Sequence, residues 1–289
     1  MQRLVDDLPW PLGRELLRLM RVDRPIGTWL VLWPSLWVLV AAGGGSPDWG
    51  LVMIFVTGAF VMRSAGCVAN DIADRKFDPH VERTRDRPLA AGRVTLRVAI
   101  VLLLVLLLVA LLLATMLNLL TIGLCFAGAF LAVSYPYTKR FIDLPQLYLG
   151  IAFGWGTVIA WAAATNGLQW SVLPFFLATV VWTTGYDTLY GLVDRDDDLK
   201  IGVRSTAILF GDRVIQAVAL LYGLTLVMLF IGGIAVEASP GFFLVLMVVQ
   251  GHFTWQIWRV RHGDREQAFK MFLSNQWVGM IVFIGLGLR

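Results

Sequence analysis

Nine apolar runs of 17 to 23 residues follow one another along the chain and dominate what it can fold into. A helix needs about 20 predominantly apolar residues to cross the hydrocarbon core of a bilayer. The runs lie near residues 26–43, 51–70, 94–116, 119–135, 144–165, 170–192, 213–235, 240–258 and 268–288. Only 15% of the 289 residues are charged and 58% are hydrophobic, which excludes a disordered chain and an ordinary soluble enzyme. The pattern predicts an all-α polytopic membrane protein with nine transmembrane helices.

The basic residues indicate how these spans are oriented. Of the 24 Lys and Arg residues, 22 lie in five segments, residues 1–25, 70–97, 135–143, 194–213 and 259–270. The alternate connections contain none. Because basic loops stay in the cytoplasm, we expect a cytoplasmic N-terminus and, from the odd number of spans, a C-terminus outside.

The N-terminal residues are interpreted as a lead-in rather than a targeting signal. Asp6, Asp7 and Pro9 precede any long apolar run, so the basic n-region of a signal peptide is missing. We expect one domain over residues 1–289, with residues 1–22 as a cytosolic or interfacial lead-in, in a bacterial inner membrane. The basic loops are explained by orientation in the bilayer, and no nucleic-acid partner is expected.

Acidic residues concentrate at the cytoplasmic ends of spans two and six. Eight of the 20 Asp and Glu residues fall within residues 70–78 and 187–198. If the helix of span two continues to Pro79, four side chains lie within an arc of about 100° on one face. These four, the first acidic ladder, are Asn70, Asp71, Asp74 and Asp78. Arg63 lies on the same stripe, about two turns deeper.

A second acidic ladder is predicted at the end of span six. Asp187, Tyr190, Asp194 and Asp198 fall within an arc of about 80° on one helix face. Asp196 points to the opposite side, where we expect it to be solvated. Each ladder is followed by an arginine-bearing loop and another span, which indicates a weak internal repeat.

Carboxylates stacked on one helix face repel each other unless a cation neutralises them. Oxygen donors of this kind favour Mg²⁺, which is usually completed by water and by substrate phosphates. Nearby basic side chains favour an anion, and the candidates for diphosphate binding are Arg63, Arg75, Lys139, Arg140 and Arg204. Together with the apolar spans, they predict a substrate with a diphosphate head and a hydrocarbon tail. The alternatives left open are a solvated helix face for either ladder alone, and a snorkelling or ion-pair role for Arg63.

The two ladders resemble the NDxxDxxxD and DxxxD motifs of the UbiA superfamily of intramembrane prenyltransferases. Residues 70–78 match the first motif at every specified position, and residues 187–198 match the second, including its preceding DxxY turn. Residues 23–34, 81–92, 135–140 and 202–207 further resemble the branch that prenylates 4-hydroxybenzoate. The resemblance runs from about residue 15 to the last span.

The resemblance implies nine transmembrane helices around a central cavity, capped by the cytosolic loops after spans two and six. It also implies Mg²⁺ dependence and release of diphosphate. The implied metal-contacting residues are Asn70, Asp74, Asp194 and Asp198, with Asp71 and Asp78 in support. We further expect catalytic roles for Asp71, Asp74, Asp187 and Asp194, and an acceptor site at Arg24, Tyr135 and Tyr190. For Arg24, an interfacial anchor is the alternative.

The implied substrates are polyprenyl diphosphate and 4-hydroxybenzoate, joined at the ring carbon ortho to the hydroxyl, in ubiquinone biosynthesis. The bilayer is the expected surrounding, and no obligate protein partner is expected. A related prenyltransferase acting on a naphthoate, a tocopherol precursor or haem would keep the same metal chemistry. A transporter is a second alternative, but transporters usually place ionisable groups near the bilayer midplane rather than at the cytosolic edge.

Overall fold

The structure is a computed structural model, and it describes residues 2–80, 84–138, 141–202 and 204–288. Over those residues the regular structure is entirely helical. The α-helices are α1 (Gln2–Asp6), α2 (Pro11–Leu19), α3 (Ile26–Ala42), α4 (Trp49–Asp74), α5 (Leu96–Ala114), α6 (Leu119–Thr138), α7 (Pro145–Thr165), α8 (Leu173–Ile201), α9 (Thr206–Leu209), α10 (Val214–Ala235), α11 (Pro240–Val260) and α12 (Arg265–Gly287). The predicted all-α class is confirmed.

Each predicted apolar run coincides with one long helix in the part of the chain that the structure describes. Six of these helices are long and apolar enough to cross a membrane: α4, α5, α6, α7, α10 with its preceding turn, and α12. Helix α3 is apolar but shorter, at 17 residues. The multi-pass membrane class is confirmed, whereas the exact count of nine spans stays a prediction.

Several helices begin or end at residues that cap them. The Thr95 side chain accepts a hydrogen bond from the Val98 amide at 3.4 Å, and Asp264 accepts one from the Glu266 amide at 2.9 Å. Asn166 and Gly202 adopt left-handed φ values of 51° and 70° and end α7 and α8. Both are common C-terminal devices, because the left-handed turn satisfies carbonyls that the helix leaves unpaired.

The first compact unit contains residues 1–29 and 56–117. Its core joins Leu19 to Val61 and Val68 of α4 and to Ala99 and Leu106 of α5. Leu16 and Met20 pack against this core, whereas Leu12 is exposed. The C-terminal part of the predicted lead-in is therefore packed in this core, where its apolar side chains contact α4 and α5.

The second compact unit contains residues 30–55 and 118–289. Helix α8 packs against α7, α9, α10 and α12. The Trp182 indole donates to Asn275 Oδ1 at 2.9 Å, which ties α8 to α12, and Gly150 lets α7 approach the backbone of α8 at Val180. Helix α8 is thus held on several sides, which fixes the second acidic ladder on a rigid element. The expectation of a single domain over residues 1–289 stays a prediction.

Candidate functional site

Helix α4 ends earlier than the sequence pattern predicts. The expectation of a continuous helix to Pro79 is wrong, because α4 ends at Asp74 and a 3₁₀ turn follows at Asp78–His80. The Phe77 amide donates to the Asp74 carbonyl at 2.8 Å and closes the intervening turn. Negative side chains are unfavourable at the C-terminus of a helix, where the helix dipole is negative. Asp78 is therefore removed from the helical stripe on which Asn70 and Asp74 lie.

Two arginines hold Asp71 and Asp78. The Asp71 side chain is only 1% exposed, and Arg21 Nη2 donates to its two oxygens at 2.8 and 2.9 Å. Arg87 Nη1 donates to Asp71 Oδ1 at 3.1 Å and to the Asp78 oxygens at 3.0 and 3.2 Å. These four residues form the buried ion-pair network. It joins the lead-in, the end of α4 and the loop that follows.

The backbone at Arg21 is strained in a way that the network explains. Its φ of +62° is a left-handed backbone conformation that residues other than glycine rarely adopt. Such a conformation costs about 1–3 kcal/mol of folding free energy. Arg21 Nη1 also donates to the Arg18 carbonyl at 2.9 Å. Burial lowers the pKa of Arg21, but the charge and hydrogen bond of Asp71, together with weaker contributions from neighbouring groups, outweigh this and leave the pKa above its ordinary value. The ion pair thus stabilises both the turn and the charge.

Asn70 and Asp74 lie outside this network. Asn70 Nδ2 donates to Asp74 Oδ2 at 3.2 Å, and both side chains are half-buried. The first acidic ladder is therefore divided in two. Asp71 and Asp78 bind arginines, whereas Asn70 and Asp74 remain together on the half-buried side of α4.

The basic candidates near the first ladder occupy different environments. The Arg63 guanidinium packs so closely over Gly27 that a Cβ there would collide with it. Arg75 is exposed, and its Nη1 donates to the Ile72 carbonyl at 3.0 Å. Arg24 is 72% exposed, and its Nε lies 3.6 Å from Asp23 Oδ2. Arg63 thus has a defined position at the start of α3, whereas Arg24 and Arg75 extend into open space.

Helix α8 carries the whole second acidic ladder, as predicted. It runs without a break from Leu173 to Ile201, and Asp187, Tyr190, Asp194 and Asp198 are all half-buried. At 1.5 Å per residue the ladder extends about 16 Å along the helix. The Tyr190 ring lies 4.8 Å from that of Phe272, which orients it against α12. Asp196 is exposed, as expected, and forms an ion pair with Arg265.

The segment after α8 folds back onto it. The Thr206 amide donates to Gln146 Oε1 at 2.9 Å, and the hydroxyls of Thr188 and Thr206 are 2.7 Å apart. These bonds anchor the segment that carries Arg204, whose Nη1 donates to Asp143 Oδ1 at 2.9 Å. Arg204 therefore lies beside Asp143, just before the start of α7, and its predicted contact with diphosphate stays a prediction.

The remaining candidates belong to the end of α6. Tyr135 is half-buried inside α6, which continues to Thr138 through Pro136 and so ends three residues later than the predicted span. The Thr138 hydroxyl donates to the Tyr135 carbonyl at 2.7 Å. Lys139 and Arg140 lie outside the described residues, so their predicted contact with diphosphate stays a prediction.

The donor atoms fit Mg²⁺ by their chemistry. Within residues 2–80, 84–138, 141–202 and 204–288, no three His, Cys, Asp or Glu side chains converge closely enough to hold a metal alone. Mg²⁺ does not need such a cage, since it is usually held by one or two carboxylates with water and phosphate oxygens. Asn70 with Asp74, and Asp194 with Asp198, are oxygen donor sets of that kind.

Comparison with known proteins agrees with these features. The UbiA prenyltransferase family model matches residues 31–283. A Vibrio campbellii protein named 4-hydroxybenzoate octaprenyltransferase is 50% identical over 269 residues, which are 93% of this chain and 95% of that protein. The apo structure of a UbiA homolog from Aeropyrum pernix K1 has a TM-score of 0.76 at 24% identity, covering 88% of this chain and 96% of its own. A UbiA homolog from Archaeoglobus fulgidus bound to GPP and Mg²⁺ has a TM-score of 0.70 at 16% identity, covering 94% and 98%. The chain therefore belongs to the UbiA prenyltransferase family.

Proposed function

We propose that the chain transfers a polyprenyl group from polyprenyl diphosphate to the ring carbon ortho to the hydroxyl of 4-hydroxybenzoate. The observation that carries this proposal is the second acidic ladder on the unbroken helix α8. A row of half-buried oxygen donors at the end of an apolar helix suits a metal-bound diphosphate whose tail remains in the bilayer. The V. campbellii relative and the GPP-bound homolog support the acceptor and the donor, respectively.

Asn70 and Asp74 of α4 and Asp194 and Asp198 of α8 are the residues that would hold Mg²⁺. When bound, Mg²⁺ would neutralise the diphosphate and make it a better leaving group. Asp71 and Asp78 act differently in this proposal, because their oxygens already accept hydrogen bonds from Arg21 and Arg87. They position the end of α4 rather than contact the substrate.

Basic side chains stabilise the charge that develops on the leaving group. Departure of diphosphate breaks the bond between the allylic carbon and oxygen, and Arg63, Arg75 and Arg204 are our candidates to donate hydrogen bonds to the departing oxygens. To do so, Arg204 exchanges its exposed partner Asp143 for the substrate. Exclusion of water by the apolar surroundings keeps the allylic cation from being hydrolysed.

The phenol ring then forms a carbon–carbon bond to the allylic cation and loses the proton at that carbon. Asp187 is our candidate for the group that accepts this proton, since it lies on the same face of α8 as Asp194. Arg24 is our candidate for the carboxylate of the acceptor, with Tyr135 and Tyr190 at the ring. The contact of Tyr190 with the ring of Phe272 supports an aromatic environment for the acceptor at this point of α8.

The proposed reaction takes place in a bacterial inner membrane, with the N-terminus in the cytoplasm and the C-terminus outside. Both acidic ladders then open to the compartment that supplies 4-hydroxybenzoate. The positive loops support this orientation, since 22 of the 24 basic residues lie on one predicted side.

The reaction is tested with membranes containing the chain, a prenyl diphosphate, Mg²⁺ and 4-hydroxybenzoate. We expect prenylated 4-hydroxybenzoate, and no product when EDTA replaces Mg²⁺. Product from a naphthoate in place of 4-hydroxybenzoate would move the chain to another branch of the family. Absence of any product from a folded protein that binds the donor would contradict the proposed activity altogether.

The assignment of the metal ligands is tested by Asp74→Asn and Asp194→Asn. Each substitution removes one charged oxygen donor and should lower turnover by about a hundredfold or more. Thermal unfolding should change much less than turnover, because asparagine keeps the size of aspartate and can still form hydrogen bonds. Asp86→Asn is the matched control, because this carboxylate is 85% exposed. Near-normal activity of Asp74→Asn or Asp194→Asn at saturating Mg²⁺ would rule out the proposal that residues of both acidic ladders hold the metal.

A further inference from the structure

A cavity of about 410 Å³ lies in the second compact unit, at the ends of α8, α10, α11 and α12. The turns that precede α10 and α12 border it, with Gly211 and Gly263 in left-handed conformations. Leu192 and Asp196 place it about 160° around α8 from the centre of the second acidic ladder. The cavity is therefore separate from the candidate diphosphate site.

The lining of this cavity is rich in arginine. Its charged residues are Arg195, Asp196, Asp212, Arg261 and Arg265, so that one net positive charge remains. Arg265 is neutralised by its ion pair with Asp196, whereas Arg261 Nε donates to the ring of its neighbour His262 at 3.0 Å. Three arginines that line one small cavity are suited to a phosphate, which accepts several charge-assisted hydrogen bonds.

The rest of the lining consists of Leu192, Gly211, Val214, Ile215 and Gly263, which are apolar. Leu192 and Val214 are buried at its floor. The Arg261 guanidinium lies 4.9 Å from the ring centre of Trp258, which is 53% exposed. Tryptophan is enriched at the level of lipid headgroups, where its ring is half in water and half in the bilayer. The contact between Arg261 and this ring therefore favours a position of the cavity near that level.

We propose that this cavity binds the phosphate headgroup of an anionic membrane phospholipid. Basic pockets between helices on the cytoplasmic side of a membrane are suited to such headgroups. The apolar floor and the exposed Trp258 favour a lipid over a free phosphate, because only a lipid brings hydrocarbon to the same place. This binding does not depend on the proposed reaction. It would connect α8 to the turn between α11 and α12 through Arg195, Arg261 and Arg265.

Lipid binding to the purified full chain in a neutral detergent tests the proposal. Native mass spectrometry would measure the affinity for the first phosphatidylglycerol, with phosphatidylcholine of the same acyl chains for comparison. The variants are Arg261→Gln and Arg265→Gln, and Arg97→Gln is the matched control, since Arg97 is an exposed arginine in the first turn of α5. We expect about fivefold weaker phosphatidylglycerol binding for each cavity variant, and no change for the control.

A further variant and two further ligands separate specific headgroup binding from a general effect of charge or of the lipid chains. Arg261→Lys keeps the charge but loses the planar guanidinium, so its phosphatidylglycerol affinity should lie between those of Arg261→Gln and the unmodified chain. Arg265→Gln leaves Asp196 without its partner, so if this variant does not fold, Arg261→Gln decides. Equal phosphatidylglycerol affinity in Arg261→Gln and the unmodified chain would overturn the proposal. So would equal affinity for phosphatidylcholine, or inorganic phosphate that displaces the lipid and binds with the same dependence on Arg261.

Discussion

Arg21 and Arg87 divide the first acidic ladder into two pairs of residues with different surroundings. They occupy the oxygens of Asp71 and Asp78, while Asn70 and Asp74 remain on the half-buried side of α4. Sequence periodicity could group the four residues but could not separate them. The separation depends on Arg21, which is 50 residues from Asp71 along the chain, and no local spacing signals such a contact.

We predict that Asp71→Asn destabilises the protein. Removal of one partner from a buried ion pair typically costs about 3–5 kcal/mol, because the remaining charges stay buried without compensation. Here both Arg21 and Arg87 would lose their shared carboxylate. The midpoint of thermal unfolding in detergent should fall clearly below that of the unmodified chain.

Two comparisons make this prediction specific. Asp86→Asn, in the loop of the same compact unit, should unfold like the unmodified chain because Asp86 is exposed. Asp74→Asn should lose activity without the loss of stability. An unchanged unfolding midpoint in Asp71→Asn, together with a loss of turnover like that of Asp74→Asn, would instead favour the direct catalytic role that the sequence pattern suggests for Asp71.

At the scale of helices, α4 and α8 show which features of a helix face the sequence periodicity predicts correctly and which it does not. The stripe on α8 is as predicted, because the helix continues through Asp198 and ends at the left-handed Gly202. The stripe on α4 is interrupted, since the chain leaves the helix at Asp74 and the buried ion-pair network then holds Asp78. A tertiary contact thus overrides the local pattern at one ladder and not at the other.

The position of α8 depends on close contact with α7 at Gly150. A Cβ at this position would lie 2.5 Å from the Val180 carbonyl oxygen and 3.1 Å from its Cα, both of which are backbone atoms. We predict that Gly150→Ala forces the two helices apart and lowers the free energy of unfolding by about 1–3 kcal/mol. Turnover should fall as well, because the second acidic ladder moves with α8.

Gly123→Ala in α6 is the matched control for this helix contact. Among the described residues, no atom outside the neighbouring backbone of the same helix lies within 4 Å of the position that its Cβ would take. Alanine in a helix interior is usually more stable than glycine by roughly 0.5–1 kcal/mol, so this variant should unfold at the same temperature or higher. If Gly150→Ala behaves like Gly123→Ala in thermal unfolding and in turnover, the close contact is not what positions α8.

For the whole molecule, the apolar runs and the basic loops make a joint prediction about topology. All nine runs are helical among the described residues, but only six pass as spans by length and composition. Helix α3 is short, and α8 carries the charged ladder near its end. Composition therefore does not determine the number of crossings. Measuring on which side of the membrane each connection lies does determine it.

We predict that single cysteines at Ser46 and Gln169 react with a membrane-impermeant maleimide added outside the inner membrane. Cysteines at Asp86 and His262 should react only after the membrane is opened. All four positions are exposed, and the native Cys67 and Cys125 would first be replaced by Ala. Ser46 and Gln169 lie in connections without basic residues, whereas Asp86 and His262 lie in basic segments. The reverse pattern of labelling would invert the proposed orientation.

A cysteine at Leu288 tests the number of crossings. With nine spans it lies outside, because each crossing changes sides and the first begins in the cytoplasm. Labelling at Leu288 together with Ser46 and Gln169 therefore requires an odd number. If Leu288 is protected while Ser46 and Gln169 react, at least one helix after Gln169 does not cross. Protection of His262 would then place α12 as the helix that stays on the cytoplasmic side, whereas labelling of His262 would point to α8, α10 or α11.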